Sequence, residues 1–383
     1  MEKKKSIGIV TIAKVNNYGA ELQAYATQCA LKKMGHDAEI IDYLYYVHPE
    51  YKKTKMSQPL EKSFVRSCKI LLYNLLTRFK QRGYRKELRL RRERFKQFHS
   101  ENTSFSKTYY SMNELYAASH SYDIYMSGSD QVWNPNSYTS LKPYLLSFAP
   151  RGAKRIAYAS SFGVSSIPHT YKALFAENLN QFSSIGVRES KGVEIVEEIT
   201  NTPVQCVLDP TLLLNKEDWS RVARNLDVFD GKYILVYELA DNPYIMELAQ
   251  LMSKRLNCKV IRLCKDAIRY EDDELAVNVL NAGPAEYLYA FMNAQFIVTN
   301  SFHGTAFSIN FSKDFYTVIS DKKNNNSRQI SLLEMFGLTE RLVVANTDFD
   351  TLTQSHVNYN EVNKRLEEQR VCSFNFITRA INE

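Results

Sequence analysis

No apolar run in this 383-residue chain approaches the roughly 20 residues that a bilayer-crossing helix needs. The opening Met1-Glu2-Lys3-Lys4-Lys5-Ser6 leads straight into the strand-like Ile7-Gly8-Ile9-Val10. It lacks both the long apolar stretch and the small-residue cleavage site of a secretory leader, so none is expected. Cysteine is scarce, at six residues without metal-ligand spacing; even Cys258 and Cys264 are too far apart for a zinc knuckle. They read as free thiols in a reducing compartment, which points to a cytoplasmic protein. The chain contains neither Gly-x-Gly-x-x-Gly nor a loop ending in Gly-Lys-Ser/Thr, which disfavours NAD, FAD or ATP held by those devices. No metal is expected. There are no internal repeats, and low complexity is confined to Asn324-Asn325-Asn326.

A net excess of positive charge is confined to one segment, although the whole chain carries +7. Between Lys62 and Lys96 stand 13 Lys or Arg and two Glu, a local +11 that leaves the remainder at −4. Nucleic-acid binding by the whole protein is therefore not expected. Within this segment Phe64, Cys68, Leu71, Leu72, Leu75 and Phe79 recur at helical spacing among cations. That pattern predicts an amphipathic helix over about 62–96. Its plain role is to cover part of the fold; its functional role would be contact with an anionic membrane face or a lipid diphosphate.

At this length two domains are the default. Apolar runs at 7–12, 38–43, 122–126, 155–160, 182–187 and 204–207 alternate with helical stretches such as 21–34, which follows a turn at 16–20. A second series of strands is expected at 233–237, 259–263, 295–299 and 315–319. This reads as α/β, with two Rossmann-like domains facing a cleft: 1–213, 214–357, and a polar helix over 358–383 that packs back on the first domain. Ligands of such sheets bind beyond the carboxyl ends of the strands. Polar clusters stand at four such ends: Ser129-Asp130-Gln131, Ser161-Phe162-Gly163, Arg188-Glu189-Ser190 and Asp209-Pro210-Thr211.

The run from Phe296 to Phe307 is the most informative stretch. A short apolar strand passes through Asn300-Ser301 into a helix starting near Phe302-His303-Gly304-Thr305. Such a turn presents unpaired N–H groups and the positive end of a helix dipole, which suit a phosphate or carboxylate. His303 beside it can move a proton near neutral pH. The plain alternative is a buried His that tightens the loop. Arg188, at a strand end beside the cleft, needs a partner anion. Asp130 is either a base or a turn cap, and Trp133 is either core or a ring to stack on a sugar. Asn17 and Tyr18 are either substrate contacts or plain turn residues. Asp209-Pro210 reads as fixing the interdomain hinge.

Taken in order, Asn17-Tyr18-Gly19-Ala20, Gly128-Ser129-Asp130-Gln131-Val132-Trp133-Asn134, Val187-Arg188-Glu189-Ser190, Asp209-Pro210-Thr211, Ser301-Phe302-His303-Gly304 and Ser327-Arg328 resemble the polysaccharide pyruvyl transferase family over roughly residues 5–340. The resemblance implies a glycosyltransferase-B-like fold. It also implies transfer of pyruvate from phosphoenolpyruvate, as co-substrate and without a further cofactor, onto two hydroxyls of a sugar in capsule or exopolysaccharide synthesis. The sugar is expected to be galactose-like, with a polyprenyl-diphosphate-linked saccharide at the inner membrane face as one form. His303, Arg188 and Asp130 are the expected catalytic residues. Arg188, Ser301, Phe302, His303, Gly304, Thr305 and Arg328 are expected to hold the donor. Asn17, Tyr18, Gly19, Ser129, Asp130, Gln131 and Trp133 are expected to hold the acceptor. Where the family carries Arg-Leu-His, this chain reads Ser301-Phe302-His303, so one cation is missing from its place. Either the backbone cradle suffices, or Arg328, Lys313 or a first-domain basic residue replaces it. The competing functions are a nucleotide-sugar-dependent glycosyltransferase on the same fold and a non-catalytic glycan-binding protein.

Overall fold

Strands of two to seven residues, most of them apolar, build two parallel sheets covered by helices. The computed structural model describes residues 3–46, 48–56, 83–137, 140–240, 242–264, 275–319, 326–344, 347–349, 352 and 356–383. The expected helical pattern from Phe64 to Phe79 lies outside the described residues.

The first sheet contains β1 (Ser6–Val10), β2 (Asp37–Ile40), β3 (Ile124–Ser127), β4 (Lys154–Ser160), β5 (Ser184–Val187) and β6 (Val204–Cys206) in the order β2-β1-β3-β4-β5-β6. Its helices are α1 (Tyr18–Lys33), α2 (Arg85–Asn102), α3 (Met112–Ala117), α4 (His169–Leu179) and α5 (Ser190–Ile199). Two short helices, α6 (Pro210–Leu213) and α7 (Lys216–Ser220), lead to the second sheet. That sheet contains β7 (Tyr233–Tyr237), β8 (Lys259–Leu263), β9 (Val277–Val279), β10 (Phe296–Thr299), β11 (Phe315–Val318) and β12 (Leu342–Val343) in the order β12-β11-β10-β7-β8-β9. Its helices are α8 (Pro243–Leu256), α9 (Pro284–Asn293), α10 (Phe302–Asn310) and α11 (Ser327–Phe336), and α12 (Tyr359–Asn382) ends the chain.

Each order reverses direction once, at β1/β3 in the first sheet and at β7/β10 in the second. A crevice opens at such a switch point because the connections leave to opposite sides. The two switch points face each other, and this gives the glycosyltransferase-B-like architecture.

Local chemistry moves several boundaries from where hydropathy sets them. β1 stops at Val10 because Thr11 turns its hydroxyl to the Ser129 carbonyl (2.9 Å) and accepts from Gln23 Nε2 (2.9 Å). α1 starts at Tyr18, three residues early, because the Asn17 side chain caps it by accepting from Ala20 N at 3.3 Å. β9 was not visible in the sequence, since Val-Asn-Val is too short to show a period.

The domains are pinned by buried contacts. Tyr18 stacks on Tyr287 at 4.7 Å and donates its hydroxyl to the Ala282 carbonyl (2.9 Å). Asn310 Nδ2 donates to the carbonyls of Thr211 (2.8 Å) and Leu214 (2.9 Å). α12 crosses back: Ser373 Oγ accepts from Leu208 N (3.0 Å), Arg370 donates to the Leu212 carbonyl (2.7 Å), and Lys154 Nζ donates to the Ile381 carbonyl (3.0 Å). Within α2, Arg91 and Arg94 are not free surface cations. Arg91 is buried and donates to the Cys264 carbonyl (2.7 Å), and Arg94 donates to the Asn281 carbonyl (2.8 Å). Among the described residues no helix is long and apolar enough to cross a membrane.

Candidate active site

Between the switch points lies a cavity of about 190 Å³. The first domain contributes Asn17, Asp130 and Gln131; the second contributes Asn300, Ser301, Phe302, His303, Arg328 and Gln329 among others. The sequence around β10 explains the second-domain wall. Thr299 spends its hydroxyl on the Tyr237 carbonyl (2.6 Å), which ties β10 to β7. Asn300 pins the loop after β7 by accepting from Leu239 N and donating to the Ala240 carbonyl, both at 2.7 Å. Ser301 then caps α10, its Oγ accepting from Gly304 N at 3.2 Å. The residue that stands where the family has Arg is thus a helix cap.

This capping also narrows the expected backbone cradle. Gly304 N is used by Ser301 Oγ and Thr305 N by the Ser301 carbonyl (2.9 Å), while Thr305 Oγ1 turns inward to Thr317 (2.8 Å). Gly304 and Thr305 are therefore helix structure, and the expectation that they hold a ligand is corrected. Within the described residues the N–H groups of Phe302 and His303 have no protein partner.

Arg188 leaves the end of β5 and is 4% exposed. Its Nη1 donates to Asp209 Oδ2 at 2.9 Å, and its Nη2 lies 3.6 Å from Asp130 Oδ1. Its guanidinium carbon is 4.3 Å from the centre of the Phe302 ring. Nε and Nη2 have no hydrogen-bond partner. Burial opposes its charge, but Asp209, Asp130 and Glu189 more than offset that and raise its pKa. Arg328, on α11, is 8% exposed, lies 6.0 Å from the same ring, and has an unpartnered Nε. Burial, and then the charge of Arg188, push it down to about 10. Two buried guanidiniums thus converge on Phe302 with N–H groups to spare. Lys313, the other candidate for the missing cation, stands past the far end of α10 and does not line the cavity. Burial pushes it down to about 8.

Asp209 is the hub. Its Oδ1 accepts from Thr211 N (3.0 Å) and Thr211 Oγ1 (2.7 Å), and its Oδ2 accepts from Ser129 Oγ (3.0 Å) and Arg188. His303 Nε2 lies 3.7 Å from the same Oδ2, close enough for charge attraction but too long for a hydrogen bond. Burial alone would raise the Asp209 carboxyl; His303 and Arg188 hold it far below the usual carboxylate range. Sequence reading reached this residue only as a hinge. Asp before Pro-Thr announces a helix cap, and nothing local reveals that its second oxygen collects Arg188 and His303. Gln329 was also missed. Its Nε2 donates to the Asn300 carbonyl (3.3 Å), leaving a buried Oε1 without a partner.

On the acceptor side, Asn17, Asp130 and Gln131 reach the cavity. Asp130 has a positive φ of 71°, a conformation that Asp tolerates better than most residues and that aims its carboxylate at Arg188. Three other expectations are corrected. Trp133 is fully buried, donating Nε1 to the Tyr144 carbonyl (3.1 Å) and packing on Phe162 at 5.3 Å, so it is core and no sugar stacks on it. Ser129 is fully buried on Asp209, and Tyr18 is fully buried in the domain interface; both support the site from behind.

Gly19 is there for the imidazole. A Cβ at this position would stand 2.1 Å from His303 Nδ1, so only glycine lets the ring of the second domain sit against the first turn of α1. Gly19→Ala should favour the helix locally by about 1 kcal/mol. It should nevertheless displace the ring and lower kcat by one to two orders of magnitude. Unchanged turnover in that variant would show that the placement of His303 is immaterial.

Among the described residues no group of three or more His, Cys, Asp or Glu is placed to hold a metal. The fold is two Rossmann-like α/β domains with a cleft between them. The chain belongs to the polysaccharide pyruvyl transferase family, whose profile matches residues 17–322. No curated relative matches it. Similar solved structures include the UDP-GlcNAc 2-epimerase of Methanocaldococcus jannaschii (12% identity, TM-score 0.46, 95% of this chain and 92% of that one). They also include a glycosyltransferase of Rickettsia africae (11%, 0.46, 98% and 94%) and MurG of Acinetobacter baumannii (10%, 0.41, 96% and 95%). Overlaps of this size say nothing about ligand or reaction.

Proposed function

We propose that the cleft transfers the pyruvyl unit of phosphoenolpyruvate to two hydroxyls of a sugar, forming a cyclic ketal and releasing phosphate. The observation that carries this reading is a pair of buried guanidiniums with unpartnered N–H groups: Arg328, which lines the cavity, and Arg188, which packs on the cavity-lining Phe302 and lies 3.6 Å from the cavity-lining Asp130. A donor with a carboxylate and a phosphate supplies the anions that such a pair lacks. The free N–H groups of Phe302 and His303, at the positive end of α10, add to that cradle.

The reaction requires a proton on the enol CH2 carbon as a sugar oxygen attacks its neighbour. The phosphate then leaves and the second hydroxyl closes the ring. Of the two hydroxyl protons, one ends on the new methyl group and the other on phosphate. His303 is assigned as the group that delivers a proton to the carbon or the leaving phosphate, and Asp130 as acceptor of a hydroxyl proton. Asn17 and Gln131 offer amides to sugar hydroxyls. The sugar is taken as galactose-like, in a capsule or exopolysaccharide precursor.

The test is phosphate release from phosphoenolpyruvate over a panel of soluble and lipid-linked galactosides, with nucleotide diphosphate sugars as the competing donor. Acceptor-dependent release supports the reading; turnover of a nucleotide sugar instead overturns it. Arg328→Gln separates binding from folding. Its pKa is depressed by burial and by a like charge, so its charged form opposes the fold. The variant should lose the thermal shift that phosphoenolpyruvate confers, yet be more stable without ligand by roughly 1–3 kcal/mol. A retained ligand shift would remove Arg328 from the donor site.

A further inference from the structure

The outward face of α2 is a stripe of cations. At about 100° per residue, Arg85, Arg89, Arg92 and Lys96 fall within a sector of about 60°. All four are exposed, with Lys86 at their flank. Arg89 has a 3.6 Å contact with Glu93; Arg85, Lys86, Arg92 and Lys96 make no ion pair among the described residues. Like charges three and four residues apart destabilise a helix, so the arrangement is costly unless something anionic meets it.

The opposite face is rigidly mounted. Arg91, Phe95 and Phe98 are buried, and Arg94 lies 3.6 Å from Glu286 of α9. The first turn of α2 also sits on the cleft side. Leu88 and Tyr84 pack on Cys264 and Leu280, which follow the carboxyl ends of β8 and β9. Arg91 Nη2 reaches the carbonyl of Asn16 at 3.3 Å, one residue from the cavity-lining Asn17.

We propose that this stripe docks the protein on an anionic phospholipid surface, with the cleft beside the bilayer. The match is one of charge. A straight row of cations about 16 Å long, held on a helix whose other face is committed, fits a planar field of phosphates. An acceptor tethered to lipid would then enter the cleft from the surface on which the protein rests. That last step rests on the pyruvyl-transfer reading; the docking does not.

The experiment is flotation of the whole chain with phosphatidylglycerol–phosphatidylcholine vesicles and with phosphatidylcholine vesicles alone, without any substrate. Binding to the anionic vesicles only is expected, with release at about 0.5 M NaCl, where screening shortens to roughly 4 Å. Arg85→Gln, Arg89→Gln, Arg92→Gln and Lys96→Gln together should weaken it by roughly 100-fold or more. A variant with the three arginines changed to lysine should keep it. The thermal midpoint of the lysine variant should match the parent and that of the glutamine variant should be no lower, because the side chains are exposed and the glutamines relieve like-charge repulsion. Equal binding to neutral vesicles, no binding to either kind, or undiminished binding by the glutamine variant overturns the proposal. So does tighter, stripe-dependent binding to a DNA duplex than to the vesicles. None of these outcomes bears on phosphate release with soluble acceptors, so docking and reaction fail separately.

Discussion

Arg188→Ala should abolish donor turnover and cost about 3–5 kcal/mol of stability as well. The loss of function is expected from the buried Nε and Nη2, which have no hydrogen-bond partner and stand behind the cavity-lining Phe302 and Asp130. The loss of stability follows from what remains behind. Asp209 is fully buried in the domain interior and Asp130 stands 3.6 Å away, so two carboxylates lose the cation that offsets their burial. Asp209 would keep Ser129 and Thr211 as donors, but a buried carboxylate without a counter-charge is expensive. Arg188→Lys should recover part of the stability, because an ammonium can still face Asp209. It should recover little activity, because a point charge cannot bond Asp209 and a donor anion at once. Denaturant midpoints read beside phosphate release give both quantities from the same preparations. An alanine variant as stable as the parent would mean that the ion pair is not the structural tie described above.

His303→Ala should show the opposite emphasis: turnover reduced 10²- to 10⁴-fold with a smaller loss of stability than Arg188→Ala causes. Removing the imidazole leaves Asp209 with Arg188 at 2.9 Å and with three hydroxyl or amide donors, so no buried carboxylate is orphaned. The ring itself makes no hydrogen bond through Nε2 and lies between Asp209 and Gly19. A group placed so, at the positive end of α10 and between two domains, is suited to moving a proton rather than to holding the fold together. Phosphoenolpyruvate should still shift the melting temperature of the variant, since Arg188 and Arg328 remain. Full turnover without the imidazole would leave Asp130 to do both proton transfers and would remove His303 from the mechanism.

Much was legible before any tertiary contact was known. The alternation of short apolar runs with helical stretches announces two α/β units, because strands buried on both faces are largely apolar, as β7 is throughout and β10 is up to Thr299. The polar clusters at strand ends follow from the same topology. Arg188, His303 and the Ser301-Phe302 turn stood out as candidates because charge and imidazole are conspicuous at the end of an apolar run.

Fold class and family were readable from the residues in order, together with a set of candidate site residues. The tertiary structure alone decided how those residues divide the work. Trp133 and Asn17 look equally plausible as sugar contacts in one dimension, yet one is sealed behind Phe162 and the other lines the cavity. Arg328 lies 26 positions after Phe302 by numbering, and only the return of α11 over the cleft brings its guanidinium to that ring. Gly19 and His303 meet across 284 positions because two domains close on each other, a contact that no local pattern encodes. Asp209 is the clearest case. Its role as a cap is local and readable; its role as counter-ion is set by two strands and a helix from both domains, and a long-range charge pair leaves no trace in the residues beside it.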